Sequence, residues 1–273
     1  MPKNTPLPRG SRSANGRGAF IYANFRDNHV IWPGRETALE KFVQQTYGGM
    51  RHKLRPAHSS GSEDALTWSC FDTLLQLDSQ SRQRALGEMW QLAFNGAIIP
   101  PSVAAGEVKI GEVYGARERT EVDVSIEGDG TLVFIEAKLY SAMSHADNKG
   151  KRHDQIARKL RAGALEAWKR NAEFFFILLD LAPIDKMNQM RPKNVKKPKE
   201  AKGSGFGAKW QTSWWFAYYN YGRNGSLRPL RTILTDAPAA GISAEKVAAN
   251  MGWLTWADVF KTVLRAVIMD RAS

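Results

Sequence analysis

The sequence predicts an α/β fold on three observations. Helical periodicity runs between residues 62 and 94, strand-like alternation with a reversing turn spans 107–139, and the apolar run EFFFILLDL at 173–181 follows a further helical pattern. Ser62 precedes the acidic Glu63 and Asp64, and Ala65, Leu66, Phe71, Leu74 and Leu75 follow at helical spacing, so SEDALTWSCFDTLLQL is a capped helix. A second helical pattern covers 81–94, and Pro100-Pro101 closes that region. Residues 107–114 are β-like. Residues 121–126 alternate polar and apolar, Gly128-Asp129-Gly130 reverses the chain, and 131–139 returns as an apolar strand. Helical spacing resumes at 154–169 through Ile156, Leu160, Ala164, Leu165 and Trp168. EFFFILLDL then reads as a strand buried on both faces. Two further helical patterns, at about 243–251 and 255–269, end the chain.

At 273 residues and 43% hydrophobic, the chain can bury a sizeable core. The expected organisation is a disordered basic arm at 1–19, a core domain at 20–185, a basic linker or loop at 186–208, and an aromatic-rich C-terminal extension at 209–273 packed on the core. No apolar stretch approaches the ~20 residues that cross a bilayer, so no membrane association is expected. The first twenty residues lack the apolar segment of a secretory signal. A single cysteine, Cys70, excludes an intrachain disulfide and a cysteine zinc cluster, and it is expected to be a small buried hydrophobe. The expected compartment is the cytoplasm.

The net charge of +12 is segmental. Residues 1–20 carry four basic and no acidic side chains, while 149–161 and 191–202 each carry six basic and one acidic, so the rest of the chain is close to neutral. Such runs suit a polyanion such as nucleic acid, held by counterion release. The candidate phosphate-contacting residues are Lys149, Lys151, Arg152, Arg158, Lys159, Arg161, Lys196 and Lys197. The tryptophans and tyrosines after residue 209 are read first as core packing and second as a stacking surface for unpaired bases.

The hairpin carries the chemistry. Alternation puts Glu121, Asp123 and Ser125 on one face of their strand and Val122, Val124 and Ile126 on the other, and it puts Glu136 beside Lys138 on the returning strand. Opposed residues on antiparallel neighbours have Cβ atoms ~5 Å apart, so Asp123 and Glu136 approach closely. Two such carboxylates repel unless a cation neutralises them, and Mg²⁺ takes a few oxygen ligands with waters completing its octahedron. Lys138 there would hold an attacking water or offset charge on a transferring phosphoryl group. Competing motifs fail: GSGFGAKW lacks the G-K-[ST] order of a P-loop, and the five histidines show no zinc spacing.

Asp123 followed after twelve residues by Glu136-Ala137-Lys138, within TEVDVSIEGDGTLVFIEAK, resembles the PD-(D/E)xK nuclease superfamily. The order of elements over about residues 62–182 resembles that family's restriction-endonuclease-like αβββαβ core, a mixed central sheet flanked by helices. Val122 stands where the motif has proline, and Lys159 stands where some members place a tyrosine four residues after a glutamine matching Gln155. The resemblance implies an endonuclease that hydrolyses phosphodiester bonds, foremost in DNA, using Mg²⁺ or substituting Mn²⁺. Its implied metal ligands are Asp123, Glu136, the Ala137 carbonyl and Glu63, the last a ligand or a base. Lys138 is implied at the nucleophilic water and Gln155 near the metal. A role in prokaryotic genome defence, as a homodimer or with a partner protein, is the expected setting. The alternatives are an RNA-directed or junction-resolving nuclease, and a non-catalytic basic subunit that binds nucleic acid.

Overall fold

The computed structural model describes residues 20–46, 53–115, 119–139, 153–181, 228–235 and 242–272. The chain divides into two compact units between Gln76 and Leu77. The helix expected to head the core therefore falls in the first unit, and the sheet falls in the second.

In the first unit, a short 3-10 turn at Phe25–Asn28 precedes α1 (Glu36–Val43), α2 (Leu54–Ala57) and α3 (Glu63–Gln76). Ser62 caps α3 as its position predicts, its hydroxyl accepting from the Ala65 N–H at 3.2 Å. Leu39, Phe42, Trp68, Phe71 and Leu74 form the buried apolar faces of α1 and α3. Asp72, fully buried on α3, is gripped by the Arg35 guanidinium through Nε at 3.1 Å and a second nitrogen at 2.5 Å. A buried carboxylate needs such a partner. Cys70 is buried on α3, and burial pushes its thiol up to about 12, so it behaves as the expected small hydrophobe.

The second unit is an α/β fold built on a five-stranded mixed sheet in the order β1 (Glu107–Tyr114), β2 (Thr120–Gly128), β3 (Thr131–Ala137), β4 (Glu173–Asp180), β5 (Met251–Thr255). The first three strands are antiparallel neighbours, while β4 and β5 run parallel to β3. Helix α4 (Ser79–Ala93) starts at Asp78, whose carboxylate accepts from the Gln80 and Ser81 N–H groups. Pro101 opens the short helix α5 (Pro101–Ala104). Pro at the first helical position loses no hydrogen bond, so this pair begins an element where the sequence suggested only an end.

Helix α6 (Gln155–Lys169) covers one face of the sheet, burying Ile156 and Leu160 with Leu132, Phe134, Phe174, Phe176 and Leu178. Helices α7 (Arg228–Leu234) and α8 (Ala244–Ala249) add Leu230, Ile233 and Val247 to that core. Trp90 of α4 meets Phe175 on the opposite face at 4.8 Å between ring centroids. Helix α9 (Trp256–Ala272) packs against α4 and β5.

Strand β5 is the element the sequence hides. Its five residues, MGWLT, lie between two helical patterns and are buried on both faces, so no two-residue alternation marks them. The C-terminal residues thus complete the sheet, and Trp253 and Trp256 serve as core, the first of the two roles considered. The other aromatics after residue 209, from Trp210 to Tyr221, and the arm and linker segments lie outside the described residues. Among the described residues no helix is long and apolar enough to cross a membrane.

Val122 lies in the core cluster with Tyr114, whose hydroxyl meets Ser125 at 2.7 Å. The β1–β2 register is the same on either side of Gly111, whose φ of 73° only glycine adopts without strain.

Tyr114 also donates to Glu127 at 2.6 Å, and Glu127 meets Lys109 at 3.0 Å and Arg170 at 2.9 Å. Burial alone would raise the Glu127 carboxyl, but these donors outweigh it and hold it below the ordinary carboxylate value. A carboxyl depressed by folding adds stability in full above its unfolded pKa of ~4.3, and the contribution is lost as pH falls through the lower folded value. Glu127→Gln is expected to cost roughly 1 kcal/mol near neutral pH, discounted for the half-exposed Arg170, with the deficit shrinking in acid. Urea unfolding at about pH 7 and about pH 3.5 checks the sign.

Gly163 offers a second check. A Cβ there would overlap the Phe174 ring, so Gly163→Ala is expected to destabilise by roughly 1–3 kcal/mol, although this exchange ordinarily favours a helix by about 1 kcal/mol. A raised melting temperature would contradict the close α6–β4 approach.

Candidate functional site

Glu136 stands at the end of β3, paired in register with Leu178 of β4, and is completely buried. An isolated carboxylate there would be strongly disfavoured. Three groups converge on it: Gln155 Nε2 donates to Oε1 at 2.6 Å, Lys138 Nζ reaches the same oxygen at 2.9 Å, and Lys159 Nζ is ion-paired with Oε2 without a hydrogen bond to it. Asp123 lies one residue beyond the last β2–β3 pair, Val124 with Ile135. Its Oδ2 accepts the Ala137 N–H at 2.7 Å and lies 3.9 Å from Lys159 Nζ. The five expected residues Asp123, Glu136, Ala137, Lys138 and Gln155 are therefore assembled in one place.

Local structure explains the assembly. Glu136 and Lys138 are two apart and project to the same side of the sheet. Asp154 caps α6 by accepting from the Ala157 N–H at 2.9 Å, which sets Gln155 at the first helical position. Lys159, one turn later, falls on the Gln155 face. Beyond β3, the Lys138 N–H donates to the Leu179 carbonyl at 2.7 Å, and its carbonyl accepts from the Trp256 indole at 3.0 Å. Thus β4 and the start of α9 fix the backbone that bears the lysine. Asp180, buried at the end of β4, lies two residues beyond Leu178 as Lys138 lies two beyond Glu136.

One placement differs from the sequence expectations. Lys159, assigned to an exposed phosphate-binding surface, is only 2% exposed and turned into the carboxylates. Its basic neighbours made it look like part of a solvated run, whereas its spacing from Gln155 was the signal for the buried face. Arg161 donates to the Ile233 carbonyl of α7, and Arg158 reaches back to the His153 carbonyl at 2.7 Å, while both stay half-buried. Trp256, read first as core packing and second as a stacking surface, also hydrogen-bonds the Lys138 carbonyl. Glu63 stands in the first turn of α3, in the first unit. Lys149, Lys151, Arg152, Lys196 and Lys197 lie outside the described residues.

Among the described residues, no three or more His, Cys, Asp or Glu side chains are grouped so as to hold a metal ion. The donor chemistry of the assembled residues nevertheless fits Mg²⁺, which keeps several waters and needs only one or two carboxylates. Asp123, Glu136 and the Ala137 carbonyl are hard oxygen donors, and the Asp123 carboxylate is tied to the Ala137 peptide through its N–H. No protein-family model, curated protein or solved structure matches the chain, so the functional argument rests on this geometry.

Glu136 balances two ammonium groups that are themselves almost fully buried. Removing a buried charge leaves its partners uncompensated. Glu136→Gln is expected to destabilise the protein by roughly 3–5 kcal/mol, against about 1–2 kcal/mol for Gln155→Ala, which deletes one hydrogen bond to a charged group. Urea unfolding in EDTA measures both, and equal effects would contradict the central role of Glu136.

Proposed function

We propose that the second unit is a metal-dependent nuclease that hydrolyses phosphodiester bonds, foremost in DNA. The observation that carries this reading is the meeting of Asp123, Glu136, Ala137, Lys138 and Gln155 around one buried carboxylate at the end of β3. Their spacing in sequence matches that of the PD-(D/E)xK motif, and the strand order of the mixed sheet is compatible with a restriction-endonuclease-like core. A chain with three basic segments and a net charge of +12 suits a polyanionic substrate.

Asp123, Glu136 and the Ala137 carbonyl would hold Mg²⁺, or Mn²⁺ in its place. When bound, the ion would supply Lewis acidity and a nucleophilic water at neutral pH. Asp123 keeps the Ala137 peptide in place by accepting its N–H, so ligand geometry is set by backbone as well as side chains. Lys138, anchored on both sides of its peptide, presents an ammonium suited to orient that water or offset charge on the phosphoryl oxygens. Gln155 fixes the rotation of the Glu136 carboxylate.

A second reading is favoured by one observation. Two lysines already neutralise the carboxylates, which suits a basic nucleic-acid-binding subunit whose hairpin acids are structural. The two readings part on one experiment: purified protein with duplex DNA, single-stranded DNA and RNA, in Mg²⁺, Mn²⁺ or EDTA. Metal-dependent cleavage is expected, reduced by at least about a hundredfold in Asp123→Ala and Lys138→Ala. Binding without cleavage, or cleavage indifferent to both substitutions, would leave the structural reading standing.

A further inference from the structure

The carboxylate pair already contains a cation. Lys159 Nζ contacts Glu136 Oε2 and lies 3.9 Å from Asp123 Oδ2, so its ammonium bridges the two acids that the nuclease reading assigns to the metal. We propose that Lys159 is an internal counter-cation that holds this pair in the metal-free protein and is displaced when a divalent ion enters. The inference rests on the metal-dependent reading above and adds how its metal site is regulated.

Occupancy requires the displacement. An ion held by Asp123 and Glu136 takes the oxygens that the Lys159 ammonium bridges, and two cations crowded at one carboxylate pair repel. Lys159 is the ammonium that lies between the acids, whereas the Lys138 peptide is fixed on either side. A lysine stem has four rotatable methylenes, so its head can move without moving α6. Asp123, 17% exposed where Glu136 is closed, gives the ion its approach.

Lys159 thus keeps two mutually repelling carboxylates together until the metal arrives.

Mn²⁺ titration of the full chain by calorimetry, in wild type, Lys159→Met, Lys159→Gln and Asp123→Ala, tests this. Both Lys159 variants are expected to bind Mn²⁺ about tenfold or more tighter than wild type, as removal of a unit charge a few ångströms from a divalent ion requires, and Asp123→Ala is expected to lose binding. Amine labelling of the wild-type protein, read by mass spectrometry at Lys159, supplies a measurement independent of any variant's folding. Lys159 is expected to be protected in EDTA and labelled at saturating Mn²⁺. Labelling unchanged at saturating Mn²⁺, or equal affinity in wild type and both Lys159 variants, overturns the displacement and leaves the metal reading intact. Absence of Mn²⁺ binding in wild type and in both Lys159 variants overturns the metal reading itself.

Discussion

Taking the Glu136 carboxylate out of water is the constraint around which the second unit is arranged. In a low-dielectric interior a bare carboxylate is so disfavoured that it demands partners, and here they are one amide and two ammoniums. Those partners come from β3 itself and from α6, so the strand end and the start of the helix have to meet at a fixed depth. Asp154 meets that requirement by capping α6 where Gln155 can reach back to the strand. The apolar packing of Ile156 and Leu160 against Phe134 and Phe176 continues the same helix–sheet contact away from the charges. The polar end and the oily middle of this interface therefore enforce one another.

Much of this was legible in the residues. The helices at Glu63–Gln76 and Gln155–Lys169 and the hairpin of β2 and β3 follow from caps, periodicity and a glycine-flanked turn, all local signals. The meeting of Asp123 with the Glu136 strand followed from pairing rules, but its means did not. The left-handed backbone of Gly111 and the reach of the Tyr114 hydroxyl to Ser125 were not visible in the alternation pattern. The hidden β5 shows a related limit: a strand buried on both sides carries no period, and its neighbours impose a helical one.

The largest difference concerns charge. A run of six basic residues between 149 and 161 looks solvated when read as composition. Read as a helix, residues 155–161 split by face, and the face bearing Gln155 and Lys159 turns inward while Arg158 and Arg161 stay half-buried, each holding a backbone carbonyl. Net charge is thus a poor count of the cations available to a polyanion. The division of the chain at Gln76 is a second fact that local pattern could not supply, because the α3 signals say nothing of which body the helix joins.

The tie between Trp256 and the Lys138 carbonyl spans 118 residues of chain. During synthesis, the hairpin bearing Asp123 and Glu136 emerges long before β5 and α9 exist to dock against β4. Chains fold from the N-terminus as they are made, at ~5–20 residues per second, so several seconds separate the appearance of the acids from the arrival of the indole that anchors their lysine. A ribosome-bound or truncated chain lacking Trp256 would carry the two acids and the lysine without their final alignment.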